Sequence, residues 1–185
     1  QGAHVGSLHP LQSFAGEVTQ LAGVYMAVDG DAQAQAVAKK IAQLLGGRSF
    51  YVPTAERAAY HAAACICSNY AVTLEALAQK LMSRWIGDEQ AAWKALLPLV
   101  KGTSANLERT ADAGRALTGP IARGDAATVQ KHLAVLPDDL KTVYCSLGLA
   151  TIRLALTNGT IGARAARRLT ELLDERQRPQ KNLEV

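Results

Sequence analysis

Residues 57–70 read Arg57-Ala58-Ala59-Tyr60-His61-Ala62-Ala63-Ala64-Cys65-Ile66-Cys67-Ser68-Asn69-Tyr70, a run of small apolar residues carrying several polar groups at helical spacing. Alanine is the strongest helix former, and its methyl side chain lets another helix or a ligand come close. The stretch therefore predicts a deeply packed helix. Arg57, His61 and Ser68 stand at i, i+4 and i+11, which at 3.6 residues per turn is one face, with Asn69 one position round from it. Such a face can line a cleft. A histidine on an apolar helix is also an ordinary hydrogen-bonded structural residue, so the rest of the chain has to decide its role.

Upstream of this helix the pattern is that of strands. Ala3 to Leu8 is a short apolar run ending at His9-Pro10, where proline removes a ladder donor and predicts a turn. Val24 to Val28 is a second strand, closed by Asp29-Gly30-Asp31, a turn that also supplies a helix N-cap. The helix Ala32 to Leu45 carries Val37, Ile41, Leu44 and Leu45 on an apolar face and stops at Gly46-Gly47. Ser49 to Val52 makes a third strand before Pro53. Three short strands and one helix are an incomplete layer, so further strands of a larger sheet are expected upstream of Gln1.

From Thr54 onward the pattern is helical. One helix of roughly 45 Å is predicted from Thr54 to Trp85 at 1.5 Å per residue. Asp88 caps the next, in which Pro98 predicts a kink or break and Gly102-Thr103 a second joint before a short helix to Asp112. A glycine-rich loop, Ala116 to Asp125, follows. Asp125 then caps a helix from Ala126 to Leu136, Pro137-Asp138 opens one to Leu156, and Thr160 caps a last one to about Arg176. The resulting division is a small α/β part (1–53), a helical part (54–178) and a frayed tail (179–185).

Composition narrows the function classes. The 185 residues carry a formal charge of +4 and three cysteines. Cys65 and Cys67 point to different faces of a helix and match no metal or redox spacing, so they read as small buried residues of a protein in a reducing compartment. No run approaches the ~18 apolar residues of a membrane span and no charged-then-apolar leader opens the chain, which predicts a cytoplasmic protein without a membrane partner. The basic residues near the end, Arg164, Arg167, Arg168, Arg176, Arg178 and Lys181, alternate with Glu171, Asp174 and Glu175 and read as a solvated face. With two Trp, five Tyr and two Phe there is no basic stripe joined to stacking platforms, which excludes a nucleic-acid partner. Zinc-ligand spacing is absent, so no metal site is expected. Neither G-x-G-x-x-G nor a phosphate loop occurs. Ser68 and His61 stand about two turns apart, near 10 Å along the axis, too far for a nucleophile and its base.

The polar residues left over are His9, Gln12, Ser13, Arg57, His61, Asn69, Thr118 and Arg123. They lie within His9-Pro10-Leu11-Gln12-Ser13-Phe14, Val28-Asp29-Gly30-Asp31, Leu45-Gly46-Gly47, Tyr60-His61-Ala62-Ala63-Ala64, Ser68-Asn69-Tyr70 and Leu117-Thr118-Gly119-Pro120-Ile121-Ala122-Arg123-Gly124-Asp125. In this order the segments resemble the C-terminal part of the bacterial Rossmann-like proteins that carry the domain of unknown function 2520. Those proteins are similar to pyrroline-5-carboxylate reductase, prephenate dehydrogenase and the F420-dependent NADP oxidoreductases. The resemblance runs to about Leu156. It implies a mainly α fold, a long-helix bundle like the C-terminal domain of 6-phosphogluconate dehydrogenase, preceded by a small α/β remnant of a Rossmann-like sheet.

The resemblance also implies a function for the complete protein: hydride transfer between NADP or NAD and a small-molecule substrate. The cofactor would be held mainly by an N-terminal domain that this sequence lacks. His61 is then the candidate catalytic acid or base. Arg57, Asn69, Thr118 and Arg123 are substrate-binding candidates, an arginine pairing a carboxylate or phosphate as a two-pronged donor. His9, Gln12 and Ser13, following a strand, would meet the cofactor edge. His61, Asn69 and Arg123 are expected to face one cavity, and the apolar helices predict a homodimer. The rival expectation is a non-catalytic dimerisation scaffold, in which His61 and Arg123 would be sealed in mutual hydrogen bonds.

Overall fold

The computed structural model describes residues 2–14, 16 and 20–174. The chain forms two compact units, Gln1–Ala78 and Gln79–Val185. Its architecture is mainly helical with a small sheet near the N-terminus, as expected. The expected tail lies outside the described residues.

The first unit is built on a three-stranded mixed sheet of order β1-β2-β3. Strand β1 (Gly6–Pro10) runs antiparallel to β2 (Tyr25–Gly30), and β3 (Arg48–Tyr51) lies parallel to β2 on its other side. Helix α1 (Ala32–Leu44) joins the two parallel strands. Met26, Ala27, Val28 and Asp29 of the central strand are all buried. His9-Pro10 was expected to form a turn but continues the strand, pairing with Ala27 and Met26. Proline is tolerated there because β1 is an edge strand and Pro10 its last residue.

Asp31 caps α1 as expected, its Oδ1 accepting from the Gln33 and Ala34 amides at 3.0 Å each. Its Oδ2 takes the Val5 amide at 2.9 Å, which ties the approach to β1 onto the same cap. The face that α1 lays on the sheet is not the expected one. Ala38 and Ala42 are buried, while Val37, Ile41, Leu44 and Leu45 are exposed. The cause is how closely α1 approaches the sheet. A Cβ added to Gly6 would lie 2.6 Å from the Asp29 carbonyl oxygen and 2.7 Å from the Ala34 methyl. Only small side chains fit at that separation.

After β3 the chain makes a 3₁₀ turn at Thr54–Glu56 and enters α2 (Arg57–Cys67) and α3 (Asn69–Ile86). The single long helix expected over this region is interrupted at Ser68, where φ and ψ are −108° and −67°. Serine and asparagine compete for backbone hydrogen bonds and weaken a helix interior, which accounts for the break. Neither α2 nor α3 contains a buried residue. The deep packing expected from the alanine run is therefore absent among the described residues, and Cys65 and Cys67, expected to be buried, are half-buried and exposed. Only Cys145 is buried among the three.

The second unit packs α4 (Glu89–Glu108), α5 (Ala126–Val135), α6 (Asp138–Thr157) and α7 (Ala163–Leu173), with two 3₁₀ turns, Ala113–Ala116 and Ile121–Arg123, in the glycine-rich connection. Its core joins Ile121, Val129, Cys145, Ile152, Leu169 and Leu173. Helix α4 runs unbroken through Pro98 and Gly102, so neither a break at Pro98 nor a joint at Gly102 ends it. Pro98 and Lys94 are both exposed, so the turn that lacks the Pro98 amide lies on the exposed side of the helix. Thr160 does not cap α7, whose N-cap is Gly162. Instead its amide and hydroxyl both donate to the Ala155 carbonyl, closing the end of α6. Arg164, Arg167 and Arg168 are exposed, as a solvated face requires. Asp125 caps α5 through the Thr128 amide and hydroxyl at 3.0 and 2.6 Å.

Gly6→Ala is expected to destabilise the sheet unit by ~1–3 kcal/mol, the usual range for overpacking. A drop in thermal midpoint without loss of the native far-ultraviolet spectrum checks this.

Candidate functional site

Strand and helix periodicity bring polar groups together in the first unit. On β1, Ser7 and His9 are two residues apart and share a face. On α2, Arg57, Tyr60 and His61 stand at i, i+3 and i+4 and share one too. The two faces meet over the end of β2 and enclose a cleft of about 160 Å³, floored by Ala27, Val28, Asp29 and Val52.

Asp29 anchors the arrangement. Its buried carboxylate accepts from the Gly30 amide at 2.6 Å and the Thr54 hydroxyl at 3.0 Å, and it pairs with Arg57 Nη2 at 2.5 Å. Burial pushes this carboxyl up, and the Gly30 amide, the Thr54 hydroxyl and the Arg57 guanidinium together outweigh it, leaving Asp29 below the ordinary carboxylate range. The same guanidinium nitrogen reaches Ser7 Oγ at 3.3 Å. Arg57 is thereby tied to both strands.

His9 and Tyr60 form a second pair. The Tyr60 hydroxyl lies 2.8 Å from His9 Nδ1, and the rings meet edge to face with centroids 5.5 Å apart. Burial pushes the Tyr60 phenol up, so it keeps its proton. Phe50 stands behind Tyr60 at 5.8 Å between centroids. The His61 ring centre is 6.3 Å from that of His9, and its Nε2 contacts Cys65 Sγ at 3.6 Å one helical turn on. The cleft groups left for a ligand are then His9 Nε2, His61 Nδ1, the remaining guanidinium donors and the Ser7 hydroxyl. The chemistry on offer is proton exchange at imidazole and hydrogen-bond donation to oxygen.

Of the residues singled out in the sequence, the structure brings His9, Arg57 and His61 into this cleft. Gln12 and Ser13 lie beyond β1 in an exposed turn, with the Ser13 amide donating to Gln12 Oε1. Asn69 is exposed at the start of α3. Thr118 and Arg123 belong to the second unit, where both are exposed. Sequence reasoning missed Asp29, Tyr60, Ser7 and Thr54. Asp29 had a signal, a carboxylate ending a continuous apolar strand, and Tyr60 had one in lying beside His61 and three residues from Arg57. Among the described residues no group of three or more His, Cys, Asp or Glu side chains could hold a metal ion.

With this geometry in hand, residues 24–151 match the family described as a domain of unknown function (DUF2520). The chain belongs to that family. Its DUF2520 region covers both the sheet core and most of the helical unit. Among solved structures the chain is similar to protein TM1727 from Thermotoga maritima, at 25% identity and a TM-score of 0.68 over 83% of this chain and 62% of that one. It is also similar in fold to the putative NADP oxidoreductase BF3122 from Bacteroides fragilis, at 23% identity and a TM-score of 0.63 over 91% of this chain and 58% of that one. The chain thus spans about three-fifths of the length of either. No curated protein matches it.

The Asp29 carboxyl generates a pH prediction. Its folded value lies below the ordinary ~3.9, so its contribution to stability is complete above that value and disappears as pH falls through the lowered folded value. Urea midpoints measured from neutral pH downward should fall in that acid window, and Asp29→Asn should flatten the fall while lowering the midpoint at neutral pH.

Proposed function

We propose that this DUF2520 chain is the substrate-side part of an NAD(P)-dependent oxidoreductase acting on a small molecule. The observation that carries the reading is the convergence of His9, Arg57 and His61, from separate elements, on one small cleft. The likeness in fold to the putative NADP oxidoreductase BF3122 from Bacteroides fragilis supports the reaction class. In this reading His61 holds or moves a proton at its imidazole and Arg57, clamped by Asp29, orients the substrate. Asn69, Thr118 and Arg123 stand as substrate-contact candidates outside this cleft, and His9, Gln12 and Ser13 as candidates for the cofactor edge.

The chain's own residues do not make a dinucleotide site. A cleft of about 160 Å³ is well below the ~300–1,000 Å³ of typical ligand pockets, and the sequence holds no G-x-G-x-x-G turn to bring backbone amides to a pyrophosphate. It suits a small acid or the nicotinamide end alone. NADP or NAD would be bound mainly by a further domain, as the greater length of the structural relatives supports.

A homodimer belongs to the same reading. Ile66, Tyr70, Val72 and Trp85, on α2 and α3, are each more than half exposed, with values of 62%, 60%, 69% and 71%. A second copy of the chain is the occupant proposed for these alanine-rich helices. Three cysteines outside any disulfide support a reducing, cytoplasmic setting. The scaffold alternative requires His61 and Arg123 to be sealed by each other, whereas His61 is partnered by Cys65 and lines a cleft.

Calorimetric titration of NADPH tests the cofactor assignment. We expect no micromolar binding to the 185-residue chain and clear binding once it is extended upstream by a Rossmann-sized domain of roughly 120 residues. Micromolar binding to the short chain overturns the cofactor placement, and binding to neither favours the scaffold. In the extended protein, His61→Gln should cut turnover ~10²–10⁴-fold with NADPH affinity unchanged. For the dimer, light scattering should give twice the chain mass, and Val72→Asp should halve it.

A further inference from the structure

The contact between Tyr60 and His9 is not used by the reading above, and it fixes a chemical property of the cleft. A neutral imidazole carries its proton on one nitrogen and accepts at the other, and the partner of one nitrogen decides the character of the other. His9 Nδ1 lies 2.8 Å from the Tyr60 hydroxyl, and the near-perpendicular rings, 89° apart, aim the phenolic oxygen at the ring edge where Nδ1 sits. Two arrangements satisfy that distance: the phenol donates to an unprotonated Nδ1, or a protonated Nδ1 donates to the phenolic oxygen. In the second, the phenolic proton finds no acceptor among the described residues and has to turn to water from a half-buried side chain backed by Phe50. In the first, both groups are satisfied. Burial also holds Tyr60 in its protonated form, so a proton is present to donate.

We propose that Tyr60 is a positioning residue that locks His9 in the tautomer protonated on Nε2, so that the cleft presents a fixed N–H donor to an oxygen acceptor on its ligand. The proposal rests on the functional reading only for the ligand's place in the reaction; the tautomer stands on the geometry alone. The ligand chemistry follows from what lies beside that donor. The Ser7 hydroxyl and the free side of the Arg57 guanidinium share the cleft with it, and the one carboxylate there, Asp29, is already taken by three donors. An oxygen-rich group, a carboxylate or a carbonyl of a small acid, is what this set recognises.

Long-range proton–nitrogen spectra of the histidine rings test this on the 185-residue chain, above the pH at which imidazoles are charged, with His9→Gln used to assign the His9 signals. We expect His9 Nδ1 to resonate as an unprotonated nitrogen and Nε2 as a protonated one, with Tyr60→Phe moving both toward the averaged values of mixed tautomers. The analogous pair His132 Nδ1 and Tyr144 hydroxyl, also 2.8 Å apart, is the internal control and should not move. A protonated Nδ1 in the wild type overturns the proposal, as does a Tyr60→Phe spectrum unchanged at His9. If that variant fails to fold, the wild-type spectrum and the titration of its His9 signal decide. Acetate is the ligand probe: it should shift the His9 Nε2 proton in the wild type and less in Tyr60→Phe. Equal shifts in both, or none in the wild type, overturn the donor role. None of these readouts involves NADPH or turnover, so they fail or succeed separately from the oxidoreductase reading.

Discussion

A buried carboxylate at the end of β2 is the constraint on which the first unit depends. Asp29 is 3% exposed, and an ionised group there is tolerated only when its oxygens are filled. Its own turn supplies one donor through Gly30, and the other two come from Thr54 and Arg57, on the far side of α1 and β3 in the chain. The chain leaving β3 must therefore return over the end of β2. That return fixes where α2 begins and hence that Tyr60 and His61, three and four residues after Arg57, stand over Ser7 and His9. Removing Arg57 would leave a buried charge uncompensated, but the intact pair need not add net stability, because desolvation opposes its Coulomb attraction. Its contribution is position.

Much of this was legible in sequence because it is local. The order of elements follows from runs of apolar residues punctuated by Pro, Gly and Asp, and the caps at Asp31, Asp88 and Asp125 follow from a carboxylate preceding a helical pattern. His9, Arg57 and His61 were recognisable as polar residues on apolar elements. What failed was every inference that needed to know what packs on what. The bulky face of α1 looked like the buried one, yet the close approach of α1 to Gly6 admits only alanines. The alanine run of α2 looked deeply buried, but small side chains only permit close packing and do not supply the neighbour. Pro98 looked like a kink or a break, and its place on an exposed turn makes the continuous helix tolerable. Asp29 was read as a turn residue because hydropathy patterns register a carboxylate as an end to a strand, whichever way its side chain faces.

The part of the site that spacing could reach is the part that lies on single elements. Positions 7 and 9 share a strand face and positions 57, 60 and 61 a helix face, and each pairing is a property of backbone period alone. That the two faces oppose each other is a property of the Asp29 contacts, which join elements more than twenty residues apart. Thr118 and Arg123 belong to a different compact unit, and no periodicity in residues 57–70 bears on them.

The same contacts also decide how the cleft selects. Asp29 compensates the charge of Arg57 at 2.5 Å, so the guanidinium exerts little net field on a distant anion. Attraction then depends on short-range, directional hydrogen bonds from groups whose orientations are fixed by other partners: Arg57 by Asp29 and Ser7, and His9 by Tyr60. A site organised this way distinguishes ligands by where their oxygens lie rather than by how much charge they carry, because donors held in fixed directions are met together only by acceptors in the matching places. The buried carboxylate that orders the fold thus also turns an arginine from a long-range attractor into a short-range gauge of geometry.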